Sequence, residues 1–397
     1  MINKRQLFFN FLGQTSSNPL SIEIAKAEDC ILYDNNGKEY IDLISGISVS
    51  NVGHRHPEVI KAIHKQLDEY CHVMVYGELI LSPQVELAEF ITKLLPSFLS
   101  NVYFVSSGSE ANEGAIKAAK KYTNRYQTIS FKNAYHGSTQ GSLSLMGNND
   151  FKDPFMPLIP GNHVINFNDI KEFEKINESI ACVIIEPVQG EAGIIPADKE
   201  FLKGLRKKCN ETGTLLIFDE VQTGFGRTGS MFAFEDYEVV PDIITLAKAM
   251  GGGMPIGAFI SSKEIMSTLS KNPELGHITT FGGHPVSCAA SLASLQVLIK
   301  ENLVKQVKDK EFAFIERLKR IPYVKKYRSK GLMIAIEFES FDITREIVKT
   351  GLENGILVDW FLFAPQCIRL APPLTISFKL IEEAMDKFET TLNQVFN

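Results

Sequence analysis

No CxxC pair occurs in this sequence: its six cysteines, Cys30, Cys71, Cys182, Cys209, Cys288 and Cys367, are scattered. That pattern gives neither a disulfide framework nor a zinc knuckle, and offers no metal-ligand spacing. Thiols placed this way are usually reduced and buried in a cytosolic protein. A basic surplus is missing too. The formal net charge is −6, whereas a general nucleic-acid binder carries an excess of Lys and Arg. No uninterrupted apolar run reaches the roughly 20 residues of a membrane span. Residues 1–19 are mixed, without the basic start and apolar stretch of a secretory leader. Neither an internal repeat nor a low-complexity tract interrupts the chain. By default the protein reads as cytoplasmic, with no nucleic-acid or membrane partner.

What is present is a soluble globular composition, 44% apolar and 22% charged. At 397 residues the chain is long enough for two or more packed units, because single cores stop growing past roughly 250–300 residues. Its middle alternates short apolar runs with longer periodic segments. Residues 101–105, 127–131, 180–185, 214–218, 243–246 and 257–261 read as strands, and 109–122 and 201–212 as helices. The run at 180–185 is continuously apolar, as in a strand covered on both faces. This alternation predicts an α/β fold with a mostly parallel sheet wrapped by helices. A long helical stretch, 285–318, then breaks the pattern. Strands at 332–338, 356–358 and 368–370 and a helix at 380–395 read as a smaller α+β domain. A β-like stretch at 31–41, turning at 35–37, is expected to pack on that domain. The expected division is an N-terminal segment 1–45, a large domain 46–290 and a small domain 291–397.

Ligands of open α/β sheets bind at the carboxyl ends of the strands, so the residues just beyond each strand are the candidates for chemistry. After 101–105 comes Ser106-Ser107-Gly108-Ser109-Glu110, a small-residue turn opening a helix. Free amides there suit a phosphate, with Gly108 allowing close approach and Ser109 adding a hydroxyl; a plain N-cap is the alternative. The apolar strand 214–218 ends in Asp219-Glu220. A buried carboxylate needs a partner, which a protonated ring nitrogen, a metal, an Arg or a local Lys would supply. Lys248 comes directly after strand 243–246 and precedes Gly251-Gly252-Gly253. It reads either as a desolvated nucleophile or as a lysine snorkelling over a turn. Gly224-Phe225-Gly226-Arg227-Thr228-Gly229 is a literal GxGxxG. It is not read as a dinucleotide fingerprint, because no helix start comes after it.

Phosphate turn, strand-end acid and strand-end lysine, in that order, are the parts that pyridoxal phosphate requires. Over nearly its whole length the sequence resembles the class III (ω-) aminotransferases. The resemblance rests on Glu186-Pro187-Val188-Gln189-Gly190-Glu191-Ala192-Gly193, the block from Asp219 to Gly229, Leu246-Ala247-Lys248-Ala249-Met250-Gly251-Gly252-Gly253, and Thr279-Thr280-Phe281-Gly282-Gly283-His284-Pro285. It implies a fold type I transferase with a seven-stranded large-domain sheet and pyridoxal 5′-phosphate joined to Lys248 as a Schiff base. It also implies phosphate contacts from Gly108 and Ser109, Tyr135 stacked on the cofactor ring and Val221 on the opposite face. Asp219 would pair with the ring nitrogen and Gln222 would lie near the phenolic oxygen. Thr280 would reach the phosphate of a neighbouring subunit, which makes the expected assembly a homodimer with shared sites. Arg369 would grip the α-carboxylate of a 2-oxo acid, and Glu191 would neutralise Arg369 when the substrate has no such group.

The implied reaction moves an amino group from an ω-amino acid or amine to a 2-oxo acid by a ping-pong route, with 2-oxoglutarate as the expected acceptor. Acetylornithine, ornithine and 4-aminobutyrate aminotransferases typically carry, after the aromatic-His/Trp-Gly motif, an arginine for a substrate carboxylate. Here the motif reads Tyr135-His136-Gly137-Ser138-Thr139, and a serine cannot make that two-pronged contact. Residues 73–77 and 360–363 are expected at the substrate entrance. An aminomutase using the same lysine and aspartate, and an inactive protein of the same fold, are the alternatives.

Overall fold

The computed structural model describes residues 4–397. Its largest element is a seven-stranded sheet in the order Asn101–Val105, Gly257–Ser261, Ile243–Leu246, Leu215–Asp219, Ile180–Ile185, Gln127–Phe131 and Asn162–Ile165. Gly257–Ser261 runs antiparallel to both of its neighbours, and the remaining strands are parallel. The four central strands from Gly257–Ser261 to Ile180–Ile185 are buried at every residue. Helices on both faces account for that: sheets of this connectivity bury two faces and so read as unbroken apolar runs. Six of the seven strands match the sequence expectation. The seventh, Asn162–Ile165, is a half-exposed edge strand whose Asn-His start carries little apolar signal.

Helix Gly108–Thr123 leaves the first strand with Ser107 as its N-cap, the serine hydroxyl accepting from the Glu110 amide at 3.2 Å. Its buried face is mostly alanine with one polar exception, Asn112. The helical stretch expected over 285–318 is two helices, Pro285–Lys300 and Leu303–Leu318. Asn302, at φ 53, takes the left-handed conformation between them, a role Asn fills more readily than most residues. The apolar pattern runs on across the break, which hides it in the sequence.

Three further sheets lie outside the large one, the smallest an antiparallel pair of Val188–Gln189 and Ile195–Pro196. Lys326–Ser329, Ile334–Glu337, Cys367–Leu370 and Asp359–Trp360 form an antiparallel sheet covered by helices of the C-terminal region. The β-like stretch at 31–41 forms a hairpin of Ile31–Asp34 and Glu39–Asp42, with Ile24–Glu28 added at its edge. Ile356–Leu357 then pairs parallel with Glu39–Asp42. No helix of the described residues is long and apolar enough to cross a membrane.

Candidate active site

A cavity of about 420 Å³ opens at the carboxyl ends of the central strands, where open α/β sheets bind their ligands. Gly108, Ser109, Tyr135, Glu191, Asp219, Val221, Gln222 and Lys248 all line it. Arg369 stands one residue back, bonded to Glu191. Thr280 is exposed on the surface and does not line the cavity.

Asp219 closes strand Leu215–Asp219 and is buried. Its Oδ2 accepts from Asn112 Nδ2 at 2.8 Å and pairs with His136 Nδ1 at 2.7 Å, and its Oδ1 accepts from the Val221 amide at 3.0 Å. Asn112 is oriented in turn by the Thr245 hydroxyl, which donates to its Oδ1 at 2.7 Å. The His136 ring is held above its ordinary pKa: burial opposes the charge, but the bond to Asp219 and the nearby carboxylates outweigh it. The carboxylate is therefore held in one orientation while facing the cavity. Glu220, the next residue, points away. It accepts from the amides of Ala233 and Phe234 at 2.6 and 2.8 Å and from the Thr223 hydroxyl. Of the two strand-end acids, one serves the cavity and the other holds a turn.

Lys248 lies just past strand Ile243–Leu246, the parallel neighbour of the Asp219 strand. It sits at φ 47 in the left-handed region, an unusual conformation for a residue with a side chain. Burial lowers its amine pKa, with the Glu191 charge opposing and the Arg369 charge reinforcing. The glycines beyond it divide their work. Gly253 lines the cavity, whereas a Cβ on Gly252 would lie 2.8 Å from the Ser294 side chain, so that glycine serves packing on helix Pro285–Lys300.

The floor of the cavity is shaped by missing side chains. A Cβ on Gly137 would meet Ser109 Oγ at 2.0 Å, one on Gly108 would meet Val221 at 2.9 Å, and one on Gly190 would meet Gln222 Oε1 at 2.0 Å. Behind this floor the first amides of helix Gly108–Thr123 have no intrahelical acceptor.

A strand-end lysine and a strand-end carboxylate thus stand on adjacent parallel strands, beside a glycine-shaped cradle at a helix N-terminus. The family model for class-III aminotransferases matches residues 12–392. The chain belongs to the class-III aminotransferases. It is 42% identical to the acetylornithine aminotransferase of Methanocaldococcus jannaschii, over 95% of this chain and 94% of that one. It is 37% identical to a [LysW]-aminoadipate semialdehyde/glutamate semialdehyde transaminase of Sulfolobus acidocaldarius, over 95% of this chain and 96% of that one. Among solved structures, the ornithine aminotransferase of Toxoplasma gondii, crystallised with partial occupancy of PLP at its active site, superimposes with a TM-score of 0.90. It shares 29% identity, over 98% of this chain and 94% of that one.

This class-III aminotransferase holds Glu191 and Arg369 as a closed pair. Glu191 Oε2 accepts from Arg369 Nη2 at 2.7 Å and from the Leu362 amide at 3.1 Å. Burial works against the Glu191 charge, but Arg369 and then Lys248 outweigh it, so its pKa lies below the usual glutamate value. Arg369 projects from strand Cys367–Leu370, its guanidinium 4.5 Å from the centre of the Phe361 ring. Its Nη2 also donates to the Trp360 carbonyl at 3.2 Å, and Asp359 Oδ1 lies 3.5 Å from its Nε. Buried Nε and Nη1 have no hydrogen-bond acceptor among the described residues.

Three polar residues of this aminotransferase were assigned no role by sequence reasoning. Asn112 and His136 fix Asp219, and Glu186 accepts from the amides of Tyr135 and Gly190 at 2.9 and 3.0 Å. Burial pushes the Glu186 carboxyl up to about 7. Each left a trace in the sequence. Asn112 interrupts an alanine face, His136 sits inside the Tyr135-His136-Gly137 motif, and Glu186 comes straight after the most apolar strand of the chain, as Asp219 does at the end of its own.

The expected entrance segments separate. Phe363 approaches the cavity, its ring centre 6.4 Å from that of Tyr135 and 5.2 Å from that of Phe151. Phe361 is fully buried and packs beneath Arg369. Val75, Tyr76 and Gly77 line a different hollow, beside Thr279 and Gly282. At the cavity mouth the Tyr135 and Ser138 hydroxyls are 3.0 Å apart.

Proposed function

We propose that this class-III aminotransferase carries pyridoxal 5′-phosphate on Lys248 and moves an amino group from an ω-amino acid or amine to a 2-oxo acid, with 2-oxoglutarate as acceptor. The observation that carries the reading is the pair of strand ends. Lys248 and the buried, doubly held Asp219 face one cavity from adjacent parallel strands. The donor set fits the cofactor: a cradle that a Cβ at Gly137 or Gly108 would fill, amides of a helix N-terminus for a dianion, and an amine of lowered pKa. When bound, this cofactor supplies an aldehyde for the exchanged amine and an electron sink for the substrate carbon that loses its proton.

The chain's own residues do the rest. Asp219, oriented by His136 and Asn112, would hold a proton on the ring nitrogen. Gly108 and Ser109 would anchor the phosphate, Tyr135 and Val221 would confine the ring, and Gln222 would serve the phenolic oxygen. The Lys248 Nζ, desolvated and therefore neutral more readily than an exposed lysine, would take the proton from the substrate carbon and return it across the nitrogen to the former aldehyde carbon. Arg369 receives the α-carboxylate of the oxo acid once Glu191 yields it, and Glu191 closes the pair again for a donor without that group. Thr280, exposed and outside the lining of this cavity, is assigned to the phosphate of a second subunit, so the working unit is a homodimer. All six cysteines are free, as suits a cytoplasmic protein.

The test is a pair of half-reactions on the holoenzyme. An amine donor should bleach the visible absorbance of the bound cofactor, and 2-oxoglutarate alone should restore it. An enzyme that turns over a donor with no added oxo acid and no bleaching is not a transaminase.

A further inference from the structure

Arg227, in the Gly224–Gly229 turn that has no place in a dinucleotide fingerprint, is the largest fully buried side chain among the described residues. No ion pair joins it to a carboxylate among the described residues. Asp42 acts on it only at a distance, its oxygens being taken by His54 and by the amides of Ile44 and Ser45. Burial lowers the guanidinium pKa to about 9. A buried cation without an anion is expensive to keep, and an apolar side chain of the same volume would pack there at less cost. What the guanidinium does in return is grip three separate stretches of chain. Nη1 donates to the carbonyls of Leu332 and Pro372 at 3.0 and 2.6 Å, and Nη2 to Ser45 Oγ at 3.2 Å and to Asn51 Oδ1.

One of these stretches, and the turn that carries Arg227, lead to walls of the active-site cavity, and another leads to Arg369 behind Glu191. Arg227 itself comes after Asp219, Val221 and Gln222 along one continuous turn. Ser45 and Asn51 flank Val49, which lines the cavity. Pro372 comes three residues after Arg369. The exit from the Arg369 strand is gripped repeatedly: Ser45 Oγ donates to the Ala371 carbonyl at 2.7 Å, the Ala371 amide to the Leu43 carbonyl and the Leu374 amide to that of Asn51. A second buried cation, Lys310, takes the Leu374 carbonyl.

We infer that Arg227 is a positioning residue for acceptor specificity: it ties the strand exit behind Arg369 to the turn behind Asp219, and so sets where Arg369 stands relative to the reacting carbon. The inference rests on the reading of Arg369 as the acceptor-carboxylate contact. A carboxylate held bidentate by Arg369 is sensitive to such placement, since displacements near 1 Å can cost up to about a hundredfold in rate. An amine donor without an α-carboxylate does not use Arg369 and is insulated from it.

The experiment compares Arg227→Lys holoenzyme with wild type, using 2-oxoglutarate as acceptor and a primary amine without a carboxylate as donor. Arg227→Lys should raise the KM for 2-oxoglutarate about tenfold, while the amine KM and the cofactor absorbance stay within about twofold. In Arg227→Lys/Arg369→Ala the acceptor KM should be no worse than in Arg369→Ala alone, because the two residues act through one contact. If Arg227→Lys does not fold, Ser45→Ala, which removes one acceptor and the bond to Ala371, should show the same selectivity at about threefold. Equal losses for donor and acceptor, an unchanged acceptor KM, or additive effects in the double variant overturn the inference. If Arg369→Ala alone leaves the acceptor KM unchanged, it is the assignment of Arg369 that fails.

Discussion

Removing Arg369 should separate the two substrates of the reaction and make the protein's stability depend on pH in a new way. In Arg369→Ala the acceptor loses a charge-assisted contact of about 1.5–3 kcal/mol, so the KM for 2-oxoglutarate should rise about ten- to a hundredfold. A simple amine should lose far less, because Glu191 then has nothing to neutralise. The stability effect comes from the two acids left behind. Glu191 is 2.7 Å from Arg369 Nη2, and Asp359 is 3.5 Å from its Nε. In the wild type the Glu191 pKa lies below the ordinary 4.5, so its contribution is present above that value and fades as pH falls through the lowered one. Without the arginine, burial remains and the order reverses. The folded-state pKa exceeds the unfolded one, and stability is lost as pH rises above about 4.5. Asp359, already pushed up to about 7 by burial against the pull of Arg369, moves further the same way. The gap in thermal midpoint between wild type and variant should therefore be wider at pH 8 than at pH 5. Its upper bound is about 3–5 kcal/mol, the cost of stripping a buried pair of one partner, reduced because Glu191 borders the cavity and can turn into it. Steady-state profiles and unfolding at two pH values decide the matter. A 2-oxoglutarate KM within twofold of wild type, with cofactor bound, would refute the carboxylate assignment; a gap that narrows with pH would refute the electrostatic reasoning.

Other outcomes concern the same site. Lys248→Ala should abolish turnover and covalent capture of the cofactor while keeping the fold; borohydride treatment of the wild type and then peptide mapping should label Lys248, and a label elsewhere sinks the assignment. Asp219→Asn should lower kcat by at least about a hundredfold, on the scale seen when one preorganised charge contact is removed from a site, because a neutral amide no longer holds the ring proton; near-normal turnover with cofactor bound would exclude that role. Ser138→Arg should improve donors bearing a carboxylate distal to the amine by about tenfold, a single charge-assisted contact. If the wild type already uses such donors efficiently and the variant gains nothing, another group binds that carboxylate.

Much of this was legible because burial writes itself into strands. Runs such as Ile180–Ile185 have no polar face to confuse the reading, and polar residues directly after them stand out. What the sequence concealed was cooperation at a distance. Asn112 and His136 meet Asp219 across 107 and 83 residues, and nothing local at either position announces the other. Glu220 shows the converse: adjacent to Asp219 and alike in kind, it is distinguished only by which way the strand end turns. The edge strand Asn162–Ile165 and the break at Asn302 escaped because periodicity is weak where one face meets water, or persists where the backbone does not. Arg227 escaped because a glycine-rich motif draws the eye to its glycines.

The pairing of Ile356–Leu357 with Glu39–Asp42 has a bearing on how the protein comes into being. The hairpin near the start of the chain leaves the ribosome with one sheet edge open, and its closing strand is made roughly 310 residues later. At about 5–20 residues per second, that edge waits for some 15–60 seconds. Over that interval the nascent chain presents unpaired backbone of the kind that recruits strands from neighbours. A polysome translating this message is a crowd of such edges, and chaperone demand should fall on the early hairpin rather than on the large sheet, whose strands all emerge before residue 262.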